Sequence, residues 1–210
     1  MIAVEEPRPA IDHAVLTNRL IAACRDVIAT READLCDLDR AIGDGDHGTN
    51  MRRGMDALAA ESRQLAAMPL SEAMSRAGTI LVMSIGGAAG PLYGTFLMEL
   101  GAALRNVEAW PEALRRAVAA VARRGKSAAG EKTLLDVLYP LRDEVVRHTP
   151  LPLLAQRVQG FAEMTIDMQA MRGRASFLGE RSIGHMDPGA ASCALLAATI
   201  CRELAEAGIE

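Results

Sequence analysis

Three aspartates fall within eight residues of one another, in Asp39-Arg-Ala-Ile-Gly-Asp44-Gly-Asp46-His47-Gly48-Thr49-Asn50. Like charges at this density repel, and a bound cation is the natural counterweight. Asp44 and Asp46 stand two apart with glycines beside them, so both carboxylates can point to one side of an extended loop. Asp39, at the end of the preceding helix, can reach back toward them. Hard oxygen ligands that leave several coordination positions open suit magnesium held jointly by protein and phosphate. The glycines allow close backbone approach to phosphate, and the N–H groups that begin the next helix, near Thr49 and Asn50, offer unpaired donors to an anion. A turn with helix caps accounts for one or two of these aspartates but poorly for three. A calcium EF-hand loop needs glycine at its sixth position and glutamate at its twelfth, and counting from Asp44 those positions hold Thr49 and Met55. His47 is read either as a hydrogen-bond donor to phosphate or as a simple turn histidine.

Three other glycine-rich stretches interrupt the helical pattern. Gly86-Gly87-Ala88-Ala89-Gly90-Pro91-Leu92-Tyr93-Gly94 permits close approach of a ligand or of another helix, and it lacks the Gly-Lys-Ser/Thr element of a P-loop. Gly125 to Thr133 caps one helix and starts another, with Lys132 free to meet a phosphate if the loop is more than a link. Gly173 to Gly189 is long, polar and irregular between two apolar helices, which suggests a lid over a nucleotide. Arg174 and Arg181 in it could meet phosphates, and Asp187-Pro188-Gly189 leads into the last helix.

The elements that must position these loops are helices. Apolar residues recur at helical spacing almost throughout, as in Leu16, Leu20, Cys24 and Val27, or Leu114, Val118 and Val121, and strand alternation is absent. About eight helices are expected, joined by short links that make antiparallel neighbours in a bundle or barrel. Pro69-Leu70-Ser71 reads as a stop and an N-cap, Pro91 and Pro111 fall where first-turn prolines are tolerated, and Pro140 should end or kink its helix. Hydrophobic residues make up 50% of the 210 but aromatic ones only 3%, so the core must be built from Leu, Ala, Val, Ile and 11 Met.

Residues 1–10 read as a frayed tail and 11–210 as a single domain. The four cysteines show no Cys-x-x-Cys spacing and lie in apolar segments, as buried thiols of a reducing compartment do. No signal peptide and no membrane-spanning run is visible, so a cytoplasmic protein is expected. A net charge of -4 with 23 dispersed Lys and Arg offers no basic stripe for nucleic acid. Arg52-Arg53, Arg115-Arg116 and Arg123-Arg124 read as solvated helix faces.

Taken together, the Asp39–Gly48 stretch, Gly-Gly-Ala-Ala-Gly-Pro-Leu-Tyr-Gly-Thr, Gly-Glu-Lys-Thr-Leu-Leu-Asp and the Gly173–Gly189 stretch closely resemble the nucleotide-binding L subunit of dihydroxyacetone kinase, the DhaL family, from about Asp12 to the C-terminus. The resemblance implies an antiparallel eight-helix barrel with the nucleotide at one rim, and two magnesium ions on Asp39, Asp44 and Asp46. It implies nucleotide contacts at His47, Gly48, Thr49, Asn50, Ala89, Gly90, Gly125, Leu134, Arg174, Asp187, Pro188 and Gly189, with Leu134 packing the base and Arg174 serving catalysis. Three positions depart from the family pattern: Ala89 replaces a usual serine, Leu134 a frequent methionine, and Glu131 the commoner aspartate.

In that family a separate K subunit holds the triose through a histidine, so this chain is expected to be inactive alone. Either ADP stays bound as a coenzyme and is recharged by a phosphohistidine-bearing M subunit of the phosphotransferase system, the favoured reading, or ATP exchanges as an ordinary substrate, with a four-carbon ketose as one acceptor. A homodimer is compatible with the family. A non-catalytic nucleotide or metal sensor that binds a regulator is the alternative of a different class.

Overall fold

The computed structural model describes residues 12–106 and 108–209. The tail expected at 1–10 lies outside the described residues. Within them there are ten α-helices and two 3-10 segments, and no strand. The helices are α1 (His13–Thr30), α2 (Glu32–Ile42), α3 (His47–Ala60), α4 (Ser62–Ala66), α5 (Leu70–Ser84), α6 (Ala89–Arg105), α7 (Trp110–Gly125), α8 (Leu135–Val146), α9 (Leu151–Glu163) and α10 (Pro188–Glu206). The 3-10 segments, Met164–Asp167 and Arg174–Ser182, lie between α9 and α10.

Helix α1 packs on α3 and α10, α3 on α5, α5 on α6, α6 on α7, α7 on α8, α8 on α9 and α9 on α10. Helix α7 shows how the pattern drives this. Ala113, Leu114, Ala117, Val118, Ala120 and Val121 are buried on one face, while Arg116 on the other pairs with Glu99 at 3.3 Å and Glu108 at 2.8 Å. Side chains such as Ile28, Met51, Val118, Leu135 and Val158 are almost wholly buried, each worth about 1.5–3 kcal/mol of transfer free energy. Those five belong to one core cluster with the buried Tyr93, and Phe96, Tyr139 and Phe161 pack against it half-buried.

Glycine sets the tightest pairing. A Cβ at Gly78 would stand 2.7 Å from the Gly94 carbonyl oxygen, and one at Gly101 would stand 2.5 Å from that of Ser71. Residue 78 thus faces 94 while 71 faces 101, so α5 and α6 run antiparallel with their backbones in near contact. Larger residues would force the pair apart and open the core beneath.

One detail departs from expectation and one narrows it. Ser71 does not cap α5: the helix begins at Leu70 with Pro69 as its cap residue and no side-chain cap bond. Pro140 does not end α8, which continues from Leu135 to Val146. One lost backbone bond is outweighed by the burial of Leu138 and Leu141, which flank the proline. All four cysteines are free and buried, and burial pushes the Cys24 and Cys193 thiols up to about 12. No described helix is long and apolar enough to cross a membrane.

Candidate functional site

Helix α2 stops at Gly43, whose N–H returns to the Asp39 carbonyl at 2.5 Å. A side chain at 43 would displace the Asp39 carboxylate and crowd the Asp39 carbonyl oxygen, 3.1 Å from its Cβ, where the chain folds back on it. Gly45, at φ 78, turns the backbone again. Helix α3 then opens at His47, two residues earlier than the Thr49–Asn50 start read from the sequence. Asp39 caps it: one carboxylate oxygen accepts the N–H groups of Asp46 at 2.9 Å and His47 at 3.2 Å. That leaves the other oxygen for a ligand. One oxygen from each of Asp39, Asp44 and Asp46 lies within 4.8 Å of the others, with Asp44 and Asp46 exposed. Three hard carboxylates on an open face fit a magnesium ion that shares its coordination sphere with phosphate and water.

Two of the other stretches meet this loop. Arg174, exposed in the second 3-10 segment, pairs with Asp44. His47 Nε2 lies 2.9 Å from Ser192 Oγ in the first turns of α10, and Ser192 Oγ lies 2.8 Å from the Tyr93 hydroxyl of α6. Burial lowers the proton affinity of His47, against the opposing pull of Asp39 and Asp46, which favours the neutral imidazole. Nε2 therefore serves to join α3 to α10, and nothing in the local sequence marks this, because Ser192 lies 145 residues away. Gly86 abuts Asn50, since a Cβ there would come 2.6 Å from Asn50 Oδ1. Asn50 is buried and also accepts a bond from Arg53.

Several glycines prove to serve packing. A Cβ at Gly48 would overlap the Glu32 carbonyl oxygen, and one at Gly90 would lie 3.0 Å from that of Leu81. Gly87 is different: it sits at φ 67 with open space around its Cβ position. Ala89 begins α6 half-buried. Gly125 ends α7 near Leu92. Leu134, buried, adjoins Gly189, whose Cβ would stand 3.8 Å from the Leu134 N. Asp187 caps α10 by accepting the Ala190 N–H at 2.7 Å, and Pro188 follows as the first helical residue. Desolvation raises the Asp187 carboxyl to about 7, against the lowering effect of its Ala190 bond and of Lys132.

Lys132 corrects the sequence reading. It is not free to meet a phosphate: it is 1% exposed and donates to three backbone carbonyls. Nothing in the local sequence marks this, because its acceptors lie more than thirty residues away.

The family model described as the DAK2 domain matches residues 41–202. The chain is 43% identical over 166 residues to the PEP-dependent dihydroxyacetone kinase 1, ADP-binding subunit DhaL, of Listeria innocua, covering 77% of this chain and 82% of that one. It is 38% identical over 185 residues to the PEP-dependent dihydroxyacetone kinase, ADP-binding subunit DhaL, of Escherichia coli, covering 82% and 88%. Among solved structures it is similar to the dihydroxyacetone kinase from C. freundii in complex with AMP-PNP and Mg2+, with a TM-score of 0.69 at 24% identity. That likeness covers 98% of this chain but 36% of that one, and it speaks for the fold alone.

Proposed function

Because this chain belongs to the DAK2 domain family, we propose that it is the ADP-binding subunit of a dihydroxyacetone kinase. In this reading it passes a phosphoryl group from its nucleotide to a triose held by a separate K subunit. The observation that carries the reading is the meeting of Asp39, Asp44 and Asp46 with Arg174 beside the first turn of α3. Two stretches distant in sequence supply carboxylates and helix-start N–H groups, from one, and an arginine, from the other, to one place. The run of helix pairings from α1 through α10 and back to α1 supports an eight-helix barrel with this site at one rim.

Magnesium, as two ions on the three aspartates, would supply charge neutralisation of the β- and γ-phosphates. The chain's own part is binding and orientation. The N–H groups of Gly48 and Thr49, which have no partner within the helix, are suited to phosphate oxygens. Arg174 exchanges Asp44 for the transferring group and holds it in line with the sugar hydroxyl. His47 ties α3 to α10 so that the aspartate loop and the Asp187-Pro188-Gly189 turn keep their spacing. Leu134 packs the base beside Gly189, and Asn50, Ala89, Gly90 and Gly125 complete the wall. Ala89 offers no hydroxyl to phosphate, which leaves that contact to backbone N–H donors. No nucleophile from this chain is needed, since the acceptor hydroxyl arrives on the partner.

The names of the two relatives, both PEP-dependent and ADP-binding, support ADP as a resident coenzyme recharged by a phosphohistidine-bearing M subunit. The test is reconstitution with K and M subunits. Phosphorylation of dihydroxyacetone is expected with phosphoenolpyruvate and the phosphotransferase proteins but not with ATP alone, and Asp44→Asn should abolish it. Full transfer by that variant would refute the assignment, and ATP serving as well as phosphoenolpyruvate would refute the coenzyme reading.

A further inference from the structure

The loop between α7 and α8 and the long segment between α9 and α10 are joined through one buried cation. Lys132 has a left-handed backbone at φ 60, a conformation that persists in a residue with a side chain only where its surroundings hold it. From there the ammonium donates to the carbonyls of Thr165 at 2.5 Å, Met168 at 3.1 Å and His185. An ammonium has three donors, and all are used.

The acceptors are spread along the segment, two near its start and one just before Asp187. Thr165 extends the link, since its hydroxyl accepts the Asp187 N–H at 3.0 Å. Beside the cage, the Glu131 carbonyl accepts the Met171 N–H at 3.1 Å, and the Glu131 carboxylate pairs with Arg172 at 3.1 Å. Arg172 stands two residues from Arg174, the partner of Asp44. An apolar side chain at 132 could fill the same space but could satisfy none of these carbonyls. A lysine ties three backbone positions to the loop that carries Leu134, without drawing on any side chain of the segment itself.

We propose that Lys132 is a positioning residue for phosphoryl transfer: its caged ammonium fixes the 165–187 backbone so that Arg174 and the Asp187 turn close over the nucleotide as one body with Leu134. This rests on the nucleotide-binding role proposed above. Loss of the cage frees the segment to open, so nucleotide leaves faster and Arg174 spends less time in register.

The test compares the wild-type chain with Lys132→Met in the cold, where both are folded by circular dichroism. Release of a fluorescent ADP analogue with magnesium is followed by stopped flow, and steady-state transfer is assayed with the K and M subunits. Release from Lys132→Met is expected to be faster by on the order of tenfold or more, with kcat lowered as well. A lower melting temperature with wild-type release and wild-type kcat would make Lys132 merely structural and overturn the proposal. A wild-type chain that binds no magnesium nucleotide would instead overturn the proposed function.

If Lys132→Met does not fold, hydrogen exchange on the wild-type chain decides. The Met171 amide on the Glu131 carbonyl, the Gly184 amide, which donates to the Ile166 carbonyl at 2.8 Å, and the Thr133 amide, which donates to the Asp136 carboxylate at 2.7 Å, are expected to open at one common rate and to slow together when magnesium and ADP are added. Amides of the 165–187 segment that open independently of Thr133, or ignore the nucleotide, would refute the proposal.

Discussion

Gly48→Ala tests whether the site depends on the close fit of α2 against α3. A Cβ at 48 would overlap the Glu32 carbonyl oxygen and stand 2.9 Å from Cys36 Sγ, where ordinary contact begins at 3.4 Å. The obstacle at Glu32 is backbone, which no rotamer change relieves, so α2 and α3 must separate. Overpacking of this kind costs about 1–3 kcal/mol, and in a chain of this size each kcal/mol lowers the melting temperature by roughly 2–4 °C. A fall of about 2–12 °C is therefore expected. The functional loss should be larger than the stability loss suggests, because α2 carries Asp39 and the start of α3 follows Asp46, and their carboxylates must stay grouped. Calorimetric titration with magnesium and ADP should show affinity reduced by at least about tenfold at a temperature where the variant is folded, since 1.4 kcal/mol of lost contact already gives that factor. A variant that melts and binds like the wild type would refute the claim that this glycine is there for packing that holds the metal loop.

Gly160→Ala is the matching control: Gly160 is exposed within α9 with nothing near its Cβ position, so the change should stabilise by up to about 1 kcal/mol in chemical denaturation. Ser192→Ala leaves the His47 ring and the Tyr93 hydroxyl without their shared partner, so it should cost about 1–3 kcal/mol and weaken nucleotide binding. For Asp187 the sign follows from a carboxyl raised to about 7 against an ordinary 3.8. The folded, nucleotide-free chain keeps that proton while the unfolded chain releases it. The stability this contributes is full below about pH 4 and is lost as pH rises to about 7, so wild-type stability should fall across that window relative to Asp187→Asn. Parallel pH profiles would contradict it.

The helical class was legible because amphipathic spacing repeats along the chain, as in the Ala113–Val121 face of α7. The aspartate cluster was legible because its three members are adjacent in sequence, so their mutual repulsion is a local fact. Lys132 and His47 were not legible in the same way: their partners, the carbonyls of 165–185 and Ser192, come from segments that only tertiary folding brings near. The same holds for the glycines. Local sequence shows that Gly48, Gly78 and Gly90 lack side chains, but only the neighbouring helix shows that Gly48 and Gly90 face a carbonyl in α2 or α5. Pro140 left an end or a kink open for a related reason, since the core burial that carries α8 through it lies elsewhere in the fold.

The most direct measurement is the nucleotide that the purified chain carries. The protein is prepared with magnesium, denatured with acid, and the released nucleotide is quantified by chromatography, alongside Asp44→Asn. The account predicts close to one ADP per wild-type chain and none in the variant. A wild-type chain that is empty and binds neither ADP nor ATP when magnesium is supplied would contradict it.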